Sequence, residues 1–206
     1  MKEIKALFGN LLPGNQQYHR LRNSYRICLS VYFLLFLLYF NFESQAQTSN
    51  TDNMSNLTVG NTLPQFSLKD QNGHLFDISS VLGKKNLVIY FYPKDDSPGC
   101  TKEACSFRDQ FEVFREADAI IIGISSGSAK SHKAFAEKYN LNFTLLSDEG
   151  NNVRKLFGVP TNLLGLIPGR VTYVVNKEGK VVFVFNSQMN AEQHVSEALN
   201  VLKELK

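Results

Sequence analysis

At 206 residues, with 22 Lys and Arg against 19 Asp and Glu, the chain has room for one ordinary domain and an appendage. The excess positive charge lies in residues 1–46, which hold five of the basic and two of the acidic residues; the remaining residues balance at 17 of each sign. A domain that is neutral on count excludes an electrostatic case for nucleic-acid binding.

Ile27–Phe40 runs for 14 residues without a charge and is almost wholly apolar. Arg20, Arg22 and Arg26 precede it. Ser44-Gln45-Ala46 follows, with small residues at the two positions a signal peptidase reads. Fourteen residues fall short of the roughly 20 that span a bilayer as a helix. The pattern predicts a signal peptide or membrane-targeting leader over 1–46. It predicts an exported, periplasmic or otherwise extracytoplasmic protein, with anchoring by residues 27–40 as the alternative. Residues 47–56 are polar and aperiodic and are expected to form a disordered spacer. Cys28 goes with the leader, so the domain over 57–206 keeps only Cys100 and Cys105.

That domain begins with a hairpin. Phe66-Ser67-Leu68 and Leu75-Phe76-Asp77 flank a turn that ends in Asn72-Gly73. Leu87–Tyr92 and Ile120–Ile124 are continuous apolar runs, the pattern of central strands covered on both faces. Between them Cys100, Ala104, Phe107, Phe111 and Phe114 fall on one face of a helix. Arg108 and Glu112 are spaced to pair on its outside. A second helix is expected from Ser128, its cap, to Tyr139. A short strand follows at Phe143–Leu146 and a helical turn at Val153–Phe157. Val171–Val175 and Val181–Phe185 form a hairpin around Asn176–Lys180. The last helix starts at Asn190, with Gln193 as its capping partner, and buries Val195, Leu199, Leu202 and Leu205. This alternation predicts an α/β fold with one sheet flanked by helices.

The two cysteines carry the chemistry. A thiol at a strand-to-helix turn meets free backbone N–H groups and the positive end of the helix dipole, both of which favour a thiolate. A pair in an exported protein is most often a structural bridge. Spacing argues against that here. Five residues of intact helix advance about 7.5 Å and place the two Cα atoms about 8–9 Å apart. A disulfide needs them within about 7 Å. The helix must therefore unwind for Cys100 and Cys105 to bond. Upstream, Pro93 ends the strand and Pro98 suits the first helical turn. Ser97 is placed to aim its hydroxyl at the Cys100 sulfur or at an oxygen held against it. Gly99 lets a small substrate approach the backbone, and the N–H groups of Gly99 and Cys100 are placed to hold one of its oxygens.

The run Tyr92–Asp109 closely resembles the active-site segment of peroxiredoxins, in particular the bacterioferritin comigratory protein (PrxQ) branch. Pro93, Ser97 and Cys100 meet the pattern Pro-x-x-x-Thr/Ser-x-x-Cys, with Ser97 in place of the more usual Thr. Cys105 meets the branch's second cysteine, five residues on. The likeness spans the whole domain. It implies a thioredoxin-like fold with a central mixed β-sheet and an N-terminal β-hairpin extension. It implies a thioredoxin-dependent peroxidase acting on hydrogen peroxide and organic hydroperoxides, with no cofactor and no metal. Cys100 would be the peroxidatic thiol and Cys105 the resolving thiol. Arg170 matches the family arginine beside the peroxidatic sulfur, and Glu103 the acid that orients it. The partners implied are a peroxide and a thioredoxin-like reductant. A monomer is expected, touching a membrane only through an uncleaved leader. An extracytoplasmic thiol–disulfide oxidoreductase acting on proteins is the alternative, although such enzymes usually carry Cys-x-x-Cys.

Other residues are assigned duller roles. His19, His74, His132 and His194 show no ligand spacing and are expected at the surface. The apolar segment Gly158–Gly169, just before Arg170, is expected either to pack over the active site or to offer a surface to the reductant or a second copy.

Overall fold

The computed structural model describes residues 56–162 and 164–205. The leader expected over 1–46, His19 and nearly all of the spacer lie outside these residues. Among the described residues no helix is long and apolar enough to cross a membrane.

The N-terminal hairpin is β1 (Ser67–Asp70) and β2 (Leu75–Asp77), followed by a 3-10 turn at Ile78–Ser80. Its turn is set by Asp70, whose carboxylate accepts from the N–H groups of Asn72 and His74. Gly73 takes the left-handed conformation there, at φ +84°. Next come β3 (Asn86–Phe91), α1 (Pro98–Asp109), α2 (Phe111–Glu116), β4 (Ala119–Ser125) and α3 (Ala129–Tyr139). They are followed by β5 (Thr144–Ser147), α4 (Asn152–Leu156), β6 (Thr161–Asn162) and β7 (Ile167–Pro168). The described chain closes with β8 (Val171–Val175), β9 (Val181–Asn186) and α5 (Ala191–Glu204).

Seven strands form one mixed sheet in the order β2-β1-β5-β4-β3-β8-β9. β3, β4 and β5 run parallel; β8 and β1 join them antiparallel. The hairpin β1–β2 thus extends the edge of the main sheet, as expected. Central β3 is buried throughout, and its side chains alternate between two cores. Leu87, Ile89 and Phe91 join one with Phe157 and Tyr173. Val88 and Tyr90 join the other with Phe107, Phe114, Phe135 and Leu202. Helices α1, α3 and α5 supply the second core, whereas the first is closed by the 3-10 turn, α4 and the segment before β1.

Four local expectations fail. The helix expected to run past Phe111 breaks at Gln110, whose backbone lies at φ −100°, ψ 7°. No Gly or Pro marks that break; Phe114 reaches the core from the separate α2. The Arg108–Glu112 pair does not form, because the break turns Glu112 toward Arg115. Arg108 instead donates to Asp109 and to the Tyr139 carbonyl. At the last helix Asn190 makes no side-chain cap, and Ser187 Oγ accepts from its N–H. Leu205 is 38% exposed rather than buried. Ser128 caps α3 as expected, accepting from Ser131 N–H.

Candidate active site

Tyr92 follows β3 directly and is buried, and Pro93 begins the loop that leads to α1. Ser97 is the N-cap of α1 and Pro98 is its first residue, so Cys100 sits in the first turn. There the leading N–H groups have no partner within the helix. Cys100 is almost completely buried, and Cys105, one and a half turns on, is half-buried. Both thiols are free.

Arg170 enters from the start of β8. Its Nη2 donates to Cys100 Sγ at 3.4 Å, and its Nη1 donates to Glu103 Oε2. Nε reaches the Gln188 carbonyl at 3.4 Å. Glu103 is fully buried. Burial pushes its carboxyl up to about 8, against the opposing charge and hydrogen bond of Arg170. Burial disfavours the Arg170 cation, but the charges of Glu103 and Cys100 outweigh it and hold its pKa above the ordinary arginine value. Gly99 makes the close approach possible: a Cβ there would lie 3.1 Å from Arg170 Nη2. Cys100, Glu103, Gly99 and Arg170 are therefore brought together as expected.

Ser97 departs from expectation. Its hydroxyl donates to the Lys94 carbonyl at 3.1 Å and so closes the loop rather than facing the sulfur. The extended backbone of an N-cap, φ −76° and ψ 145°, lets the side chain turn back along the loop. The Gly158–Gly169 segment packs over the site only in part. It folds into the small β6–β7 ladder, and Leu164 and Leu166 point into solvent. Leu166, Ile167 and Pro168 line the cleft that Pro93 borders.

Two of the four histidines contradict the surface reading. His194 is fully buried behind the site. Its Nε2 bonds the Ser187 carbonyl and its Nδ1 bonds Thr172 Oγ1, both at 2.8 Å. Burial pulls it down to about 4, so it is neutral. With Nε2–H donating, Nδ1 accepts from the threonine. Its Nδ1 lies 3.7 Å from Glu103 Oε1, an atom with no hydrogen-bond partner. His132 is also fully buried and bonds Asp95 Oδ2 through Nδ1 at 2.8 Å. His74 is exposed, as expected.

Arg154 is a further site residue that spacing does not reveal. It is buried, donates to the carbonyls of Tyr92 and Gly169 at 2.9 Å each, and lies over the Phe91 ring. Those carbonyls immediately precede Pro93 and Arg170, so one guanidinium holds both chain segments of the site. Asp148 sets its helix by accepting from the N–H groups of Val153 and Arg154. An Asp a few residues ahead of a short apolar turn was the only available signal.

The matches to known proteins agree with this geometry. The AhpC/TSA family model covers residues 59–184. Peroxiredoxin Q of Sedum lineare, named as chloroplastic, is 55% identical over 150 residues, spanning 73% of this chain and 80% of the relative. Its Triticum aestivum counterpart is 53% identical over 149 residues, spanning 72% and 68%. The crystal structure of peroxidoxin BcpB from Mycobacterium tuberculosis superposes with a TM-score of 0.68 at 36% identity, covering 73% of this chain and 99% of that one. A PrxQ variant from Xylella fastidiosa gives 0.68 at 29% identity, covering 73% and 98%. Nothing among them supports the protein-disulfide oxidoreductase alternative. The expected exported, extracytoplasmic location is overturned, because these plant relatives are named as chloroplastic. An Arg-flanked, acid-poor leader is a feature that secretory and transit peptides share, so it did not discriminate. The chain belongs to the AhpC/TSA family, alongside the peroxiredoxins Q, and is a thiol-dependent peroxidase with a thioredoxin-like α/β fold.

Proposed function

We propose that Cys100 is the peroxidatic thiol and Cys105 the resolving thiol of this peroxidase. The observation that carries the reading is the Arg170 guanidinium, bonded at once to Cys100 Sγ and to Glu103. A fixed cation on the sulfur favours the thiolate. The same cation offers a donor to an oxygen arriving there. The thiolate attacks the terminal peroxide oxygen and the O–O bond breaks. Cys100 becomes a sulfenic acid, and the other oxygen leaves as alkoxide or hydroxide and takes up a proton. The N–H groups of Gly99 and Cys100 are the donors that would hold the substrate oxygen.

Cys105 then attacks the sulfenic sulfur and expels hydroxide, which leaves as water, and a disulfide remains. A thioredoxin-like dithiol restores both thiols by exchange. The first turns of α1 must open for this step, since intact helix keeps the two cysteines too far apart. Ser97 acts through the loop, by tying itself to Lys94. We infer a monomer, because both thiols lie on one chain, and a plastid setting from the names of the relatives. The disulfide needs no second subunit.

The test is peroxide consumption by the purified protein with a thioredoxin system. Cys100→Ser should abolish turnover, and undiminished turnover in that variant would overturn the assignment. Sedimentation at working concentration checks the monomer.

A further inference from the structure

Asp95 lies in the loop between β3 and α1, five residues before Cys100. Its carboxylate is nearly buried and accepts three side-chain hydrogen bonds. Tyr92 OH donates to Oδ1 at 2.7 Å; Ser131 Oγ and His132 Nδ1 bond Oδ2 at 2.6 and 2.8 Å. Ser131 and His132 belong to α3, so the cluster ties the loop to a separate helix. Burial disfavours the Asp95 charge, but the bonds from His132, Ser131 and Tyr92 outweigh it and hold the carboxyl below its ordinary value. A second, exposed tie runs from Lys138 of α3 to Asp96 at 2.7 Å. Asp96 itself sits in the left-handed region at φ +57°, a conformation that costs a non-glycine residue.

Packing alone does not account for the cluster. His132 Nε2 is buried without a partner, and a buried orphan nitrogen is a penalty that an apolar side chain of similar shape would avoid. Space is also reserved for it. A Cβ at Gly127 would lie 2.8 Å from His132 Cε1 and 2.9 Å from Asp95 Oδ2.

The segment that must unwind has a downstream limit at Gln110, where α1 already ends. Its upstream limit is set where the loop is fastened. We propose that the Asp95–Tyr92–Ser131–His132 cluster is the latch that fixes the upstream end of the unwinding segment, making His132 a positioning residue for the step that joins Cys100 to Cys105. The proposal rests on the assignment of those two thiols. While the latch holds, opening is confined to the turns of α1 after Asp96, and the folded pocket around Cys100 is favoured. Without it, opening spreads into the Pro93–Ser97 loop and becomes more frequent.

The experiment is amide hydrogen exchange of the reduced full chain, without peroxide, read over Gly99–Cys105. His132→Ala should speed exchange there by about tenfold or more, the loss expected for one hydrogen bond to a charged group. Ser131→Ala, at an exposed position, should give a smaller rise and serves if His132→Ala does not fold. His132→Asn keeps an N–H donor for Asp95 and should restore slow exchange. Ile78→Ala, in the core on the other face of the sheet, controls for general destabilisation. After a fixed dose of peroxide, His132→Ala should also yield more disulfide and less sulfinic acid than the parent. Exchange in Gly99–Cys105 that rises no more in the latch variants than in Ile78→Ala overturns the proposal. Absence of any Cys100–Cys105 disulfide in the oxidised parent overturns the thiol assignment itself, and this inference with it. Exchange is read before any chemistry, so the two failures are distinguishable.

Discussion

Arg170 and Glu103 depend on each other more than either depends on Cys100. Glu103 is fully buried and its carboxylate is held by the Arg170 guanidinium, while Oε1 has no donor. Arg170→Met takes the cation from the sulfur and strands the acid. Peroxide reactivity in stopped flow should fall about 100-fold or more, the scale for one preorganised donor at a reacting centre. Urea unfolding above pH 8, where Glu103 is ionised, should show a loss of about 3–5 kcal/mol, as for other broken buried pairs. Adding Glu103→Gln should recover part of that stability and none of the rate. Gly99→Ala tests the close approach separately. Its methyl would meet Arg170 Nη2, which Glu103 and the Gln188 carbonyl restrain, so the rate should drop about tenfold, about 1.4 kcal/mol, with little change in melting temperature.

Titration at the same residues has a definite sign. Glu103 is raised from 4.5 to about 8, so the folded state keeps a proton that the unfolded chain has lost. Its contribution to stability is full below about 4.5 and is lost as pH rises through 8. His194 is lowered from 6.5 to about 4 and works in the opposite sense, its contribution fading as pH falls from 6.5 to 4. Above 6.5 that histidine is neutral in the folded state and mostly neutral unfolded, so it adds little to the change there. The decline in stability between pH 6.5 and 8 is therefore the glutamate's. Chemical denaturation across that window should show the decline in the parent and a flatter profile in Glu103→Gln.

Among the elements, α1 has two duties that oppose each other. Its first turn presents Cys100 to Arg170, and its middle packs Ala104 and Phe107 into the core beneath Tyr90. The first duty requires helix and the proposed disulfide requires its loss, so the reduced and oxidised forms are expected to differ in local structure. In Cys105→Ser the sulfenic acid at Cys100 should persist and proceed to sulfinic acid at lower peroxide doses than in the parent. Mass spectrometry of the Cys100 peptide reads this directly; unchanged recycling with thioredoxin would show that another thiol resolves it. The sequence foretold the helix from its apolar spacing but not its end at Gln110. Phe111 and Phe114 continued the stripe, and nothing local interrupts it. The Asn190 cap failed for a similar reason: Ser187, outside the expected box, is the group that reaches Asn190 N–H.

For the whole molecule, the order of strands and helices was legible because central strands are solidly apolar and helices carry a stripe. The site's cysteines, Pro93, Gly99, Glu103 and Arg170 were legible through one motif and one distant arginine. The buried histidines were not. His132 meets Asp95 from 37 residues away, and His194 meets Thr172 from 22, distances that no local pattern encodes. Arg154 was hidden in the same way. It joins the end of β3 to the approach to β8 through the Tyr92 and Gly169 carbonyls, and burial draws its own pKa down to about 10. Arg154→Met should cost about 2–4 kcal/mol, since two buried carbonyls lose charged donors. It should also slow peroxide reduction although Arg154 does not bond Cys100, by loosening Pro93 and Arg170 together; urea titration and stopped flow on the same sample separate the two effects.

The pairing of the two thiols is tested most directly by peptide mass spectrometry. The reduced chain is treated with one equivalent of hydroperoxide, without reductant, and its free thiols are then alkylated. A Cys100–Cys105 disulfide within one chain, absent in Cys100→Ser, is the predicted result. Peroxide consumed while both cysteines stay open to alkylation, or a bridge between chains, would contradict it.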